Sequence, residues 1–154
     1  VYAHGKLVLW SASKDVRPTL EQLTSDSITH VAIANPETAP YGAAAVELLK
    51  KQGIYQHVQH KLVFGESISQ TNQFILSGAA DIGFTAKSVV VSGPLKEKGH
   101  WLELDPQHYA PLAQGVVMIK NQNITLSKRF FDFLHSPEGQ QILRKYGYDV
   151  GYGL

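Results

Sequence analysis

Cysteine is absent from the 154 residues. This excludes thiolate metal sites, cysteine nucleophiles and disulfides. It leaves the compartment open, because a domain of this size needs no disulfide in an oxidising space. Charge is sparse and nearly balanced, with 18% charged residues and a formal net charge of +1. No basic run exceeds Lys50-Lys51 or Lys128-Arg129, so nucleic acid is not an expected partner. No apolar run approaches the ~20 residues of a membrane-spanning helix. The chain begins at Val1 rather than Met and shows no signal peptide, so a processed or truncated form is expected. Catalytic signatures are missing too: there is no G-x-S-x-G, no H-E-x-x-H and no glycosidase-like carboxylate pair. Gly83-Phe84-Thr85-Ala86-Lys87-Ser88 fails as a phosphate loop, because Asp81 and Ala86 stand where its glycines belong. His57 and His60 share a helical spacing but have no evident third ligand, so they read as a solvated surface pair and no metal site is expected.

What the chain does contain is an alternation of short apolar runs and helical patterns. Strands are expected over Lys6–Trp10, His30–Ala34, Lys61–Phe64, Asp81–Thr85, Trp101–Leu104 and Val116–Ile119. Helices are expected over Pro18–Leu23, Pro40–Gln52, Ile68–Leu76, Ala86–Val91, Leu126–Leu134 and Pro137–Tyr146. Gly53 and Ser77-Gly78 mark helix ends, and Ser92-Gly93-Pro94 marks a loop. This order implies an α/β layer with a largely parallel sheet.

Two junctions carry chemistry. The first follows the buried run Val31-Ala32-Ile33-Ala34 and reads Asn35-Pro36-Glu37-Thr38-Ala39-Pro40-Tyr41-Gly42. Pro40 suits the first helical position, where an N–H would have no intrahelical partner. Tyr41 and Gly42 keep their N–H groups at the positive end of the helix macrodipole. The second is Gly65-Glu66-Ser67-Ile68-Ser69-Gln70, where Ser67 and Gln70 form a capping-box pattern and Ile68 opens the helix with a free N–H. Either junction alone is a capped helix. Together, beyond the carboxyl ends of two strands, they make a candidate anion site. Glu37 and Glu66 flank these turns; both are expected to favour the helix N-termini and to point away from the pocket.

The Pro40-Tyr41-Gly42 turn after an Ala/Ile strand resembles the periplasmic molybdate-binding proteins of ABC importers. The likeness extends to Gly5–Ser11, Gly65–Gln70, Ala80–Ala86, Tyr109–Val117 and the closing stretch Phe130–Tyr148. The resemblance implies a type II periplasmic-binding-protein-like α/β lobe. Residues 1–10 would be a strand crossing from a first lobe, 11–110 a complete second lobe, and 111–154 the return strand and C-terminal helices of an incomplete first lobe. It implies oxyanion contacts at the backbone N–H groups of Tyr41 and Ile68, with Ala39, Pro40, Gly42 and Ser67 supporting the turn and the cap. Tyr41 occupies a position that supplies either a backbone or a side-chain donor. Some family members place a tyrosine after the strand matching Asp81–Thr85; this chain has Ala86 there.

On this reading the ligand is molybdate or tungstate, with no cofactor and no catalysis. The partners are a membrane permease and, for the chain alone, a second copy unless the stretch rearranges, because Val116, Val117, Ile119, Phe130, Phe131, Phe133, Leu134, Ile142 and Leu143 would lack the first-lobe sheet. The compartment is the periplasm or the cell surface. The alternatives are an effector domain of a transcription regulator, a binding protein for another tetrahedral oxyanion, and an α/β enzyme acting on phosphoesters.

Overall fold

The computed structural model describes residues 1–120 and 124–151. Of the C-terminal stretch 111–154, positions 121–123 and 152–154 lie outside the described residues. In chain order the elements are β1 (Ala3–Gly5), β2 (Leu7–Ser11), β3 (Val31–Ala34), α1 (Pro40–Lys51), α2 (Tyr55–Val58), β4 (Leu62–Gly65), α3 (Ile68–Ser77), β5 (Ile82–Ala86), α4 (Lys87–Val90), β6 (His100–Glu103), β7 (Leu112–Gln114), α5 (Ile124–Leu134) and α6 (Pro137–Lys145).

Five strands form one sheet in the order β4-β3-β5-β2-β6. β3 pairs parallel with both β4 and β5, whereas β2 pairs antiparallel with both β5 and β6. Four strands therefore run one way and β2 opposes them. The expected α/β lobe is present, but its sheet is mixed. The reason lies at Lys6, where one expected strand becomes two. β1 pairs antiparallel with β7 in a separate ladder, and the chain then enters the large sheet as β2 against the direction of its neighbours.

Strand side chains alternate between faces, and each face has its own core. Leu7, Leu9, Val31, Ile33, Ile82 and Phe84 pack with Ala44, Ala45, Leu48 and Leu49 of α1. Val8, Trp10 and Ala32 pack on the other face with Ile75 of α3, Ala80 and Val90. Burial on both faces explains why these strands are continuous apolar runs rather than alternating ones.

The strand expected over Val116–Ile119 does not form; the return strand is Leu112–Gln114 instead. Val116, Val117 and Ile119 have strong strand propensity, but propensity acts only where a partner edge exists. β1 supplies that edge to β7, and Val117 (86% exposed) and Ile119 (69%) remain in solvent. The helix expected over Pro18–Leu23 is a 3-10 turn at Glu21–Thr24.

Candidate functional site

β3 and β4 are neighbours, with Ala34 opposite Gly65 at their carboxyl ends. From these ends the chain departs to opposite faces: α1 packs on one side of the sheet and α3 on the other. In open α/β sheets, ligands collect beyond strand ends from which the chain leaves to opposite faces. Asn35 ties the two ends together, its N–H donating to the Gly65 carbonyl at 2.7 Å.

Asn35 also organises the turn that follows. Its carbonyl accepts from the N–H of Thr38 (3.2 Å) and of Ala39 (2.8 Å), and its Oδ1 accepts from the Glu37 N–H at 3.0 Å. Ala39 is then extended, without a side-chain cap, and Pro40 opens the helix. The Asn-Pro dipeptide is the sequence signal for this bracing; the reading of the turn as a helix start passed over it. Gly42 sits directly on the end of β3. A Cβ there would lie 2.0 Å from the Ala34 carbonyl oxygen and 2.7 Å from its carbon. Only glycine lets the helix start approach the strand this closely.

The second turn is built in the same way. The Gln70 N–H donates to Ser67 Oγ at 3.2 Å, and Gln70 Oε1 accepts from the Glu66 N–H at 2.7 Å. The side chain thus reaches one residue further back than in the usual capping box. Thr71 donates to the Ser67 carbonyl through both its N–H and its Oγ1. A Cβ on Gly65 would lie 2.6 Å from Thr71 Oγ1, so here too a glycine permits close strand–helix contact.

α1 and α3 thus start just beyond the carboxyl ends of two paired strands, with Ala39 ahead of Pro40, Tyr41 and Gly42 in the first turn of α1, and Ser67 capping α3 ahead of Ile68. The amides of Tyr41, Ile68 and Ser69 donate to no partner among the described residues. Glu37 and Glu66 are exposed, as are His57 and His60. The Tyr41 side chain does not stay with its amide: the phenol lies over Gly5 of β1. Burial, and then the neighbouring Tyr148 and Tyr109, push its ionisation well above the ordinary range.

Two cations that the sequence reading did not place lie along the same end of the sheet, beyond β5. Lys6 Nζ donates to Glu103 Oε1 at 2.8 Å, and Lys87 Nζ to Glu103 Oε2 at 2.5 Å. Burial opposes ionisation of Glu103, but the hydrogen bonds and charges of the two lysines outweigh it and hold the carboxyl below its usual range. Both lysines are thus already committed to a carboxylate. The donors at the starts of α1 and α3 are neutral: the amides of Tyr41, Ile68 and Ser69, with the hydroxyls of Ser67 and Ser69 beside them.

Comparison with known proteins places this geometry in context. The sequence model of a family described as bacterial extracellular solute-binding protein matches residues 1–149. The molybdate-binding protein ModA of Rhodobacter capsulatus is 43% identical over 148 residues, which are 96% of this chain and 58% of that protein. ModA of Azotobacter vinelandii is 38% identical over 151 residues, 97% of this chain and 60% of that protein. The solved periplasmic molybdate-binding protein of Azotobacter vinelandii superposes with a TM-score of 0.86 at 30% identity, covering 97% of this chain and 67% of that structure. The chain thus spans about three fifths of the length of these curated relatives.

Proposed function

From the premise that this chain belongs to the bacterial extracellular solute-binding protein family, we propose that it binds a tetrahedral oxyanion, molybdate or tungstate, for delivery to an ABC importer. The observation that carries the reading is the pair of helix starts at Tyr41 and Ile68 on the carboxyl ends of two hydrogen-bonded strands. The ModA relatives named above support the choice of anion. The compartment is the periplasm, as in the solved relative, and the partner is a membrane permease. The role is binding without catalysis.

The donors suit a fully ionised anion. Backbone N–H groups at helix ends offer fixed directions and partial positive charge. Hydrogen bonds to an ionised acceptor are roughly twice as strong as neutral ones. Fixed donors select by size, since sulfate and phosphate are smaller and lose contacts in a pocket spaced for molybdate. An oxyanion that carries a proton near neutral pH presents a donor where the site has only donors.

We assign residues 11–110, together with β2, to one lobe, and the β1–β7 pair to the crossing between lobes. The rest of 111–154 belongs with a first lobe that this span does not complete. The exposed side chains of Val117, Ile119, Phe130, Phe133 and Ile142 form the surface that such a lobe covers. The 154-residue chain alone therefore binds the anion weakly and either rearranges this stretch or pairs with a second copy; a well-behaved monomer by light scattering that binds molybdate tightly by calorimetry would overturn that assignment.

Isothermal titration of the longest form that the gene encodes, against molybdate, tungstate, sulfate and phosphate, tests the ligand. Molybdate and tungstate should bind more tightly than the other two. Sulfate binding equal to or tighter than molybdate binding would refute the preference.

A further inference from the structure

Tyr41 occupies two places at once. Its backbone N–H belongs to the first turn of α1, at the proposed oxyanion site. Its phenol reaches the crossing strand β1. A Cβ on Gly5 would lie 2.1 Å from Tyr41 Oη and 3.0 Å from Cζ, so the ring rests on the bare Gly5 backbone. The same Cβ would lie 3.5 Å from Leu112 Cβ on β7, the residue paired with Gly5. The phenol therefore sits where the outgoing and returning strands meet.

α1 has a second tie to the returning segment. Glu47 Oε2 accepts from the Ala110 N–H at 2.8 Å, just ahead of β7. One helix thus touches both crossing segments, at Gly5 through Tyr41 and at Ala110 through Glu47. Its own start is seated on β3 by the Gly42 contact. A tyrosine ring is a stiff lever, with only two side-chain torsions between backbone and tip. Displacement of β1 against the sheet must move the phenol, rotate it out of contact, or shift the α1 start.

We propose that Tyr41 is a positioning residue that couples the helix start at the oxyanion site to the β1–β7 crossing pair, so that anion affinity and lobe closure depend on one another through the Tyr41–Gly5 contact. Gly5 is then required for the space it leaves, since its backbone is ordinary extended strand. The inference rests on the molybdate reading above, and it assigns the phenol a role through packing rather than as a donor to the anion.

The test is a double-mutant cycle in the longest form that the gene encodes, with molybdate affinity by calorimetry and closure by the change in radius of gyration on adding molybdate. Tyr41→Phe keeps the amide and the ring and should lose several-fold less affinity than Tyr41→Ala, with closure retained. Tyr41→Ala and Gly5→Ala should each weaken binding by about ten- to a hundredfold, and the pair together should cost little more than Tyr41→Ala alone, as expected for coupled neighbours. Gly5→Ala losing the same factor with and without Tyr41 overturns the coupling. Tyr41→Phe losing as much as Tyr41→Ala overturns the packing role in favour of the hydroxyl. The two levels separate cleanly: an unmodified protein that binds no molybdate brings down both readings, whereas tight binding with an additive cycle brings down only this one. Should Gly5→Ala fail to fold, the Tyr41→Phe and Tyr41→Ala comparison still decides between the ring and the hydroxyl.

Discussion

Replacing Gly42 with alanine probes the candidate site at its tightest point. The added Cβ would lie 2.0 Å from the Ala34 carbonyl oxygen, with further backbone contacts at 2.7 and 3.1 Å. Real Cβ contacts essentially never fall below 3.0 Å, so the first turn of α1 must move away from β3 by about 1 Å, since no flexible side chain can yield instead. Overpacking of this kind costs about 1–3 kcal/mol. The better helix propensity of alanine returns up to ~1 kcal/mol. The expected net loss is then about 1–2 kcal/mol, or a fall in melting temperature of several degrees. The effect on binding is larger in proportion. A shift of ~1 Å takes the Tyr41 amide out of hydrogen-bond range of an anion fixed by its other donors, and a hydrogen bond to a charged group is worth about 1.5–3 kcal/mol. Molybdate affinity should fall by roughly ten- to a hundredfold at ~1.4 kcal/mol per decade. Titration calorimetry and scanning calorimetry on the same samples measure both quantities. Gly115→Ala is the control, because a Cβ there meets nothing within 4 Å, and it should leave both unchanged. A Gly42→Ala protein with unaltered melting and unaltered molybdate affinity would refute the packing argument and the site with it.

Ser67→Ala removes the acceptor of the Gln70 N–H and should destabilise α3 by about 1 kcal/mol, read as a lower denaturation midpoint with an unchanged slope. Thr85→Val should cost about 1–3 kcal/mol, because Thr85 Oγ1 donates to Asn72 Oδ1 at 2.6 Å in the buried interior and the amide oxygen would be left without that donor; Thr85→Ser, which keeps the hydroxyl, should cost less. The Lys6–Glu103–Lys87 cluster sets a pH dependence. Glu103 is held below its ordinary value of 4.5, so its contribution is present above that value and is lost as pH falls through the lower folded one. Lys6 has the opposite sign. It is raised above 10.5, chiefly by the Glu103 hydrogen bond, and its contribution fades as pH rises through the folded value. Glu103→Gln should therefore flatten the acid limb of a melting-temperature profile, with a loss of about 1 kcal/mol near neutrality for so partly exposed a cluster. An acid limb identical to that of the unmodified protein would remove the cluster from the account.

What could be read from the sequence was local chemistry. Pro40, the Ser67–Gln70 pair, Gly53 and Gly78 fix helix ends by rules that act within a few residues, and both helix starts lie where those rules put them. The β3-α1-β4-α3-β5 alternation was equally plain, because buried strands and amphipathic helices differ in period. The missed features depend on residues far apart in the chain. Ala3–Gly5 forms a strand of its own ahead of Leu7–Ser11 only because β7, more than a hundred positions later, pairs with it. Val116–Ile119 has the composition of a strand and lacks a partner edge among the described residues. The Tyr41 phenol over Gly5 and the two lysines on Glu103 are likewise products of register, with no signature in the neighbouring sequence.

The place of β2 has a consequence for how the chain folds. It is made before its partners, yet it lies inside the sheet between β5 and β6, with Leu7 opposite Ala86 and Val8 opposite Glu103. The β3–β4–β5 block can assemble by short crossovers, while β2 waits for partners roughly seventy-three to ninety-five positions downstream. Loop-closure entropy rises only slowly with length, but long-range pairing slows folding. During synthesis the apolar segment Leu7–Trp10 emerges well before the strands that bury it.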